Sequence, residues 1–157
     1  MTRARNGPAR EPLSSVTVPH ERSSVRAARH ALAYELAANG IETPMRDDAI
    51  LVLSELVSNA IKHAEPLPSG DISVSWALHQ DRLHLEITDG GALTRPQAAA
   101  AAVSSLGGRG LDIVRTICSE WGVTEDGNAV TVWADLPRSA IARRVPDPLP
   151  TDLLRRH

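Results

Sequence analysis

Apolar residues recur at helical spacing through "ERSSVRAARHALAYELAANG", at Val25, Ala28, Leu32 and Leu36, until Gly40 stops the run. The spacing predicts a first helix. "TPMRDDAILVLSELVSNAIKHA" carries a second, with Thr43 as N-cap, Pro44 at the first helical position, and a turn cluster of Pro66, Pro68 and Gly70 behind it. Ahead of both, "SSVTVP" alternates and ends at a proline, which predicts a strand over residues 14–18. "DISVSWALH" and "RLHLEITD" alternate apolar and polar residues around Gln80-Asp81 and read as a β-hairpin. "GGALTRPQAAAAAVSSLGG" is bounded by glycines, rich in alanine and devoid of large core residues, the pattern of a lid or an insert. "RGLDIVRTICSEWG" predicts a third helix with Leu111, Val114, Ile117 and Cys118 on its apolar side, and "GVTEDGNAVTVWADL" a second hairpin turning at Gly127-Asn128.

Strands thus come in hairpins rather than alternating one-for-one with helices. That order favours an α+β fold, a two-layer sandwich with a mixed, mostly antiparallel sheet covered on one face by three helices. The expected domain spans residues 14–137. The Pro-, Gly- and Arg-containing stretch 1–13 and the Pro/Arg-rich stretch 138–157 are expected to be disordered tails.

Composition narrows the functional classes. At 157 residues and 42% hydrophobic, the chain suits one domain with a proper core. A formal net charge of −2 leaves no electrostatic footprint for nucleic acid, and the arginines near both ends (Arg3, Arg5, Arg10, Arg143, Arg144, Arg155, Arg156) read as solvated tails. No apolar run approaches the roughly 18 residues of a membrane span. "MTRARNGPAREP" is basic but has no apolar stretch behind it, unlike a secretory signal, so a cytoplasmic protein is expected. The single cysteine, Cys118, sits among apolar neighbours and reads as a small core residue. None of the six histidines falls in a Cys/His/Asp set with ligand spacing. Trp76, Trp121 and Trp133 lie on or beside strands and read as packing residues.

Candidate chemistry begins inside the second helix. In "SELVSNAIKHAE", Glu55, Asn59 and Lys62 interrupt an apolar run at steps of four and three, so at about 100° per residue they share a narrow arc. That arc is either the wet side of an amphipathic helix or the lining of a site. Asparagine is a poor choice within a helix, because its amide competes for local backbone bonds, and Leu51 and Val52 rim the arc. Downstream, "EITDGG" puts Asp89 and two glycines at a strand end, and "GGRGLDIV" puts glycines before a helix, where bare backbone N–H groups suit phosphate oxygens. Each feature alone has an ordinary reading as a turn or a loop.

Taken together and in this order, E-x-x-x-N on a helix, D-x-G after a strand and G-x-G-L before a helix resemble the GHKL superfamily of ATP-binding domains. The resemblance runs from about Val16 to Pro137 and implies the Bergerat fold. "SELVSNAIKHA" and "WGV…TVWADLP" are most similar to the small stand-alone anti-sigma-factor serine/threonine kinases. The resemblance implies ATP and Mg²⁺ as cofactors, a sigma factor and an anti-sigma antagonist as protein partners, and a homodimer. By the same resemblance Glu55 is the catalytic base, Asn59 the Mg²⁺ ligand and Lys62 a phosphate contact. Asp89 accepts a hydrogen bond from the adenine amino group and Gly91 admits the base. Gly108, Arg109, Gly110 and Leu111 form the phosphate segment, Thr131 supports the adenine end, and residues 92–107 form the lid. One position departs from the pattern: Leu93 stands where the D-x-G-x-G motif has its second glycine. The alternative to a kinase is an ATP-responsive binding module that regulates its partner without phosphotransfer.

Overall fold

The computed structural model describes residues 14–91 and 109–138; the tails and the segment expected to form the lid, Leu93 included, lie outside the described residues. The elements run β1 (Ser14–Pro19), α1 (Ser24–Ala38), α2 (Thr43–His63), β2 (Asp71–Leu78), β3 (Arg82–Asp89), α3 (Arg109–Ile117), β4 (Glu120–Asp126) and β5 (Ala129–Pro137). The strands form one five-stranded sheet in the order β1-β2-β3-β5-β4. Every pairing is antiparallel, so the expected mostly antiparallel sheet is wholly so among the described residues.

Alternation decides which face each side chain takes. On β3, Leu83, Leu85 and Ile87 are fully buried, while Arg82, His84, Glu86 and Thr88 between them are only half-covered. The buried set joins Ile72 and Val74 of β2, and Val132, Ala134 and Leu136 of β5, against the helices. Helix α1 contributes Ala28, Leu32 and Leu36; α2 contributes Val52, Leu53, Leu56 and Val57; α3 contributes Val114 and Ile117. The α+β sandwich read from the sequence is therefore the fold observed, with Trp76 in the core.

Local chemistry explains the element ends. Gly40, at φ +73°, closes α1: its N–H donates to the Ala37 carbonyl and the Ile41 N–H reaches back to Leu36, with Ile41 buried behind. Helix α2 begins one residue earlier than expected, with Glu42 at the N-cap and Thr43 already helical, its hydroxyl accepting from Arg46 at 2.7 Å. Helix α3 is shorter than its apolar pattern suggested. It ends at Ile117, the Ser119 N–H then bonds the Asp135 carbonyl at 2.9 Å, and Trp121 and Val123 pair with Ala134 and Val132 as strand β4. β-Branched and aromatic residues gain more from that edge pairing than from extending the helix. Gly127, at φ +65°, turns β4 into β5 with Asp126 opposite Ala129, as the Gly127-Asn128 reading expected. No helix among the described residues is long and apolar enough to cross a membrane.

Candidate functional site

The polar row of α2 does not face bulk water along its length. Asp48 and Asn59 are each only 5% exposed, Val52 between them is fully buried, Glu55 is half-buried, and of these only Lys62 is exposed. Steps of four and three keep these positions on one stripe, which runs from beneath the surface to the helix end. Asn59 is the telling member. Its Oδ1 is buried with no hydrogen-bond partner among the described residues. An unsatisfied buried oxygen costs about 1–3 kcal/mol. A hard cation is one group that such a neutral amide oxygen suits.

Asp89 ends β3 on the same inner face as Leu83, Leu85 and Ile87, and is 4% exposed. Its Oδ1 accepts the Gly91 N–H at 2.8 Å. Burial pushes its carboxyl up to about 6, although the Gly91 N–H and the field of His20 both favour the charged form. A carboxylate held this way has acceptor capacity to spare for a donor of suitable shape.

The turn behind Asp89 is sewn to the end of α2. The Gly90 N–H donates to the Glu65 carbonyl and the Glu65 N–H donates to the Gly91 carbonyl, each at 2.8 Å. A Cβ at Gly90 would strike the Pro66 carbonyl. At Gly91, φ is +92° and a Cβ would lie 2.9 Å from the Asn128 carbonyl oxygen. Glycine at these two positions is what brings β3, the end of α2 and the β4–β5 turn into contact.

The remaining candidates divide. Helix α3 starts at Arg109, so Gly110 lies in its first turn instead of before it, where backbone N–H groups lack intrahelical acceptors. Gly108 lies outside the described residues. Helix α3 packs against α2, and Leu111 belongs to its first turn. Thr131 is not brought to this side. It pairs with Thr88 on the outer face of the sheet, the two hydroxyls 2.7 Å apart, while its neighbour Val130 is the residue in register with Asp89. The apolar alternation Val130, Val132, Ala134, Leu136 was the signal that Thr131 points outward. The sequence reading also passed over His20, whose Nε2 lies 2.8 Å from the Ala64 carbonyl beside this turn. Cys118, read as a small core residue, is half-buried and packs against the core's edge, with burial pushing its thiol up to about 12.

No curated protein sequence matches the chain closely enough to count as a relative. Among solved structures, it is similar to the RsbU and RsbW domains of Rv1364c from Mycobacterium tuberculosis, at 20% identity and a TM-score of 0.62. That match covers 80% of this chain and 32% of the other, so this chain spans about a third of that protein. It is also similar to the structure of the SiaB-SiaC complex from Pseudomonas aeruginosa, at 16% identity and a TM-score of 0.60, covering 78% of this chain and 88% of the other. At these identities the likeness is one of fold. The family model for the histidine kinase-like ATPase domain matches residues 18–133, from the end of β1 through most of β5. That span holds the α2 stripe, the Asp89 turn and the start of α3, and the chain belongs to the histidine kinase-like ATPase domain family.

Proposed function

We propose that this protein binds Mg-ATP between α2, the Asp89 turn and the start of α3, and acts as an anti-sigma-factor-type serine/threonine kinase. On this reading it phosphorylates an anti-sigma antagonist and sequesters a sigma factor. The observation that carries the nucleotide site is the unpartnered Oδ1 of Asn59, buried one helical turn after Glu55. Asn59 would hold Mg²⁺, which when bound neutralises charge on the β- and γ-phosphates. Asp89 accepts from the adenine amino group, which GTP does not offer. Gly110 presents its amide to phosphate at the helix start, and Lys62 at the rim reaches phosphate as a mobile charge. Glu55 orients the attacking hydroxyl and takes its proton as the oxygen bonds to the γ-phosphorus and ADP leaves. That a fold neighbour was solved as a complex with a second protein supports a protein partner.

Intact mass after incubation with Mg-ATP and candidate antagonists tests the kinase: an added phosphate on serine or threonine of the antagonist is expected, and none with Glu55→Gln. Asn59→Ala should abolish the Mg²⁺-dependence of ATP binding, and unchanged Mg²⁺-dependence would sink that assignment. Leu93, in place of a glycine hinge, favours a second reading, an ATP-responsive module that grips its partner without phosphotransfer. A nucleotide-dependent complex with no added mass would select it.

A further inference from the structure

We infer that His20 is a positioning residue for the adenine end of the site, pinning the frayed end of α2 to the β1–α1 junction and thereby fixing the turn that aims Asp89. The identity of the ligand rests on the nucleotide reading above; the clamp rests on hydrogen bonds alone. His20 Nε2 lies 2.8 Å from the Ala64 carbonyl oxygen. A carbonyl has no proton to give, so the imidazole donates and Nε2 carries the hydrogen. Ala64 is where α2 unwinds: its N–H still bonds Ala60 at 3.1 Å, but its backbone is already extended, at φ −130° and ψ 165°. The last carbonyls of a helix lack intrahelical donors, and here a side chain from 44 residues away supplies one.

The next residue carries the constraint onward. Glu65 exchanges hydrogen bonds with Gly90 and Gly91, and the Gly91 N–H then holds Asp89 Oδ1. Gly90 leaves no slack in this path, since even a methyl group there would meet the Pro66 carbonyl. The near end is equally fixed. His20 directly follows β1, its backbone N–H reaches the Gly70 carbonyl at 3.4 Å, and the preceding Pro19 carbonyl accepts both the Glu21 N–H and the Ser24 hydroxyl. A histidine anchored at one end and bonded to the helix terminus at the other thus joins the helix that carries Asn59 to the strand end that carries Asp89. Its field also favours the charged form of Asp89, against burial.

Calorimetric titration of the full chain with Mg-ATP, and separately with Mg-tripolyphosphate, tests this in wild type, His20→Phe, His20→Ala and His20→Gln. A glutamine amide can still donate to the Ala64 carbonyl; phenylalanine and alanine cannot. One lost hydrogen bond predicts about tenfold weaker ATP binding in the two donor-free variants, triphosphate affinity within about twofold, and ATP affinity within about threefold of wild type in His20→Gln. Wild-type ATP affinity in both donor-free variants would overturn the inference, as would a loss in His20→Gln equal to theirs, or an equal loss for triphosphate. If wild type binds no ATP, the nucleotide reading fails by itself, and the clamp is read from amide hydrogen exchange. Exchange at Gly90 and Glu65 should quicken in the donor-free variants and stay protected in His20→Gln; unchanged exchange throughout would remove the clamp.

Discussion

Asp89 and Asp135 are buried to nearly the same degree, 4% and 3% exposed, but on opposite faces of the sheet. On the outer face Asp135 is compensated. His84 Nδ1 meets its Oδ1 at 2.6 Å and Arg82 Nε lies 3.7 Å away, while His84 Nε2 meets Glu86 at 2.8 Å and its ring stacks on Trp133. On the inner face Asp89 has the Gly91 N–H and, farther off, the field of His20. The outer carboxylate sits in a network that satisfies it, as a structural charge should. The inner one is disfavoured as a charge by burial, with fewer groups to offset it, which is the balance expected of Asp89 on the proposed nucleotide reading.

The sharpest way to break this contrast is to neutralise each acid separately. Asp89→Asn should weaken ATP binding by roughly 10- to 100-fold, the scale of a charged hydrogen bond, while the melting temperature holds or rises. Calorimetry and thermal unfolding on the same samples read both. A marked loss of stability with intact ATP binding would make Asp89 a scaffold residue after all. Asp135→Asn should do the reverse, costing about 2 kcal/mol of stability in denaturant titration and leaving ATP affinity unchanged.

The two faces also differ in pH response. His84 is raised from 6.5 to about 9: burial by itself would lower it, but the Asp135 and Glu86 hydrogen bonds and their charges outweigh that. Its folded value is the higher one, so its contribution is full below about 6.5 and is lost as pH rises through about 9. Asp89 is raised from 3.8 to about 6, so the stability due to its protonated form is full below 3.8 and lost as pH rises through about 6. Unfolding midpoints across pH should therefore show two separate declines in wild type. The lower should be missing from Asp89→Asn, and the upper from His84→Phe. ATP affinity should fall only in the lower window, as Asp89 becomes protonated below about 6.

The placement of several candidate residues is legible in the chain because it follows from local periodicities. Glu55, Asn59 and Lys62 share an arc by helical spacing, and Asp89 continues the buried alternation of Leu83, Leu85 and Ile87. What escaped depended on contacts distant in sequence. His20 meets Ala64 only because β1 lies beside β2, whose start adjoins the end of α2. The helical pattern of α3 runs on through Trp121, which suits either a helix or a strand until β5 offers Ala134 as its partner, whereas Val123 takes the strand place its hairpin pattern predicts. Thr131 entered the site only through the family resemblance, although its apolar neighbours Val130 and Val132 assign the inner face to themselves.

Thr131 supplies the smallest expected effect and a control on the face assignment. Its hydroxyl lies 2.7 Å from that of Thr88, both half-covered on the outer face. Thr131→Val keeps the β-branched shape and removes one partner of that pair, so a stability change of about 0.5–1 kcal/mol is expected. Because the Asp89 register on β5 falls to Val130, ATP affinity should stay within about twofold of wild type. A tenfold loss would mean that the adenine end reaches Thr131 through a rearranged β5, and the division of labour between the two faces would fail with it. Val130→Thr completes the test from the other side. It places a hydroxyl beside Asp89, where it can donate to the carboxylate, and should lower the pH at which ATP affinity falls without disturbing the His84 window.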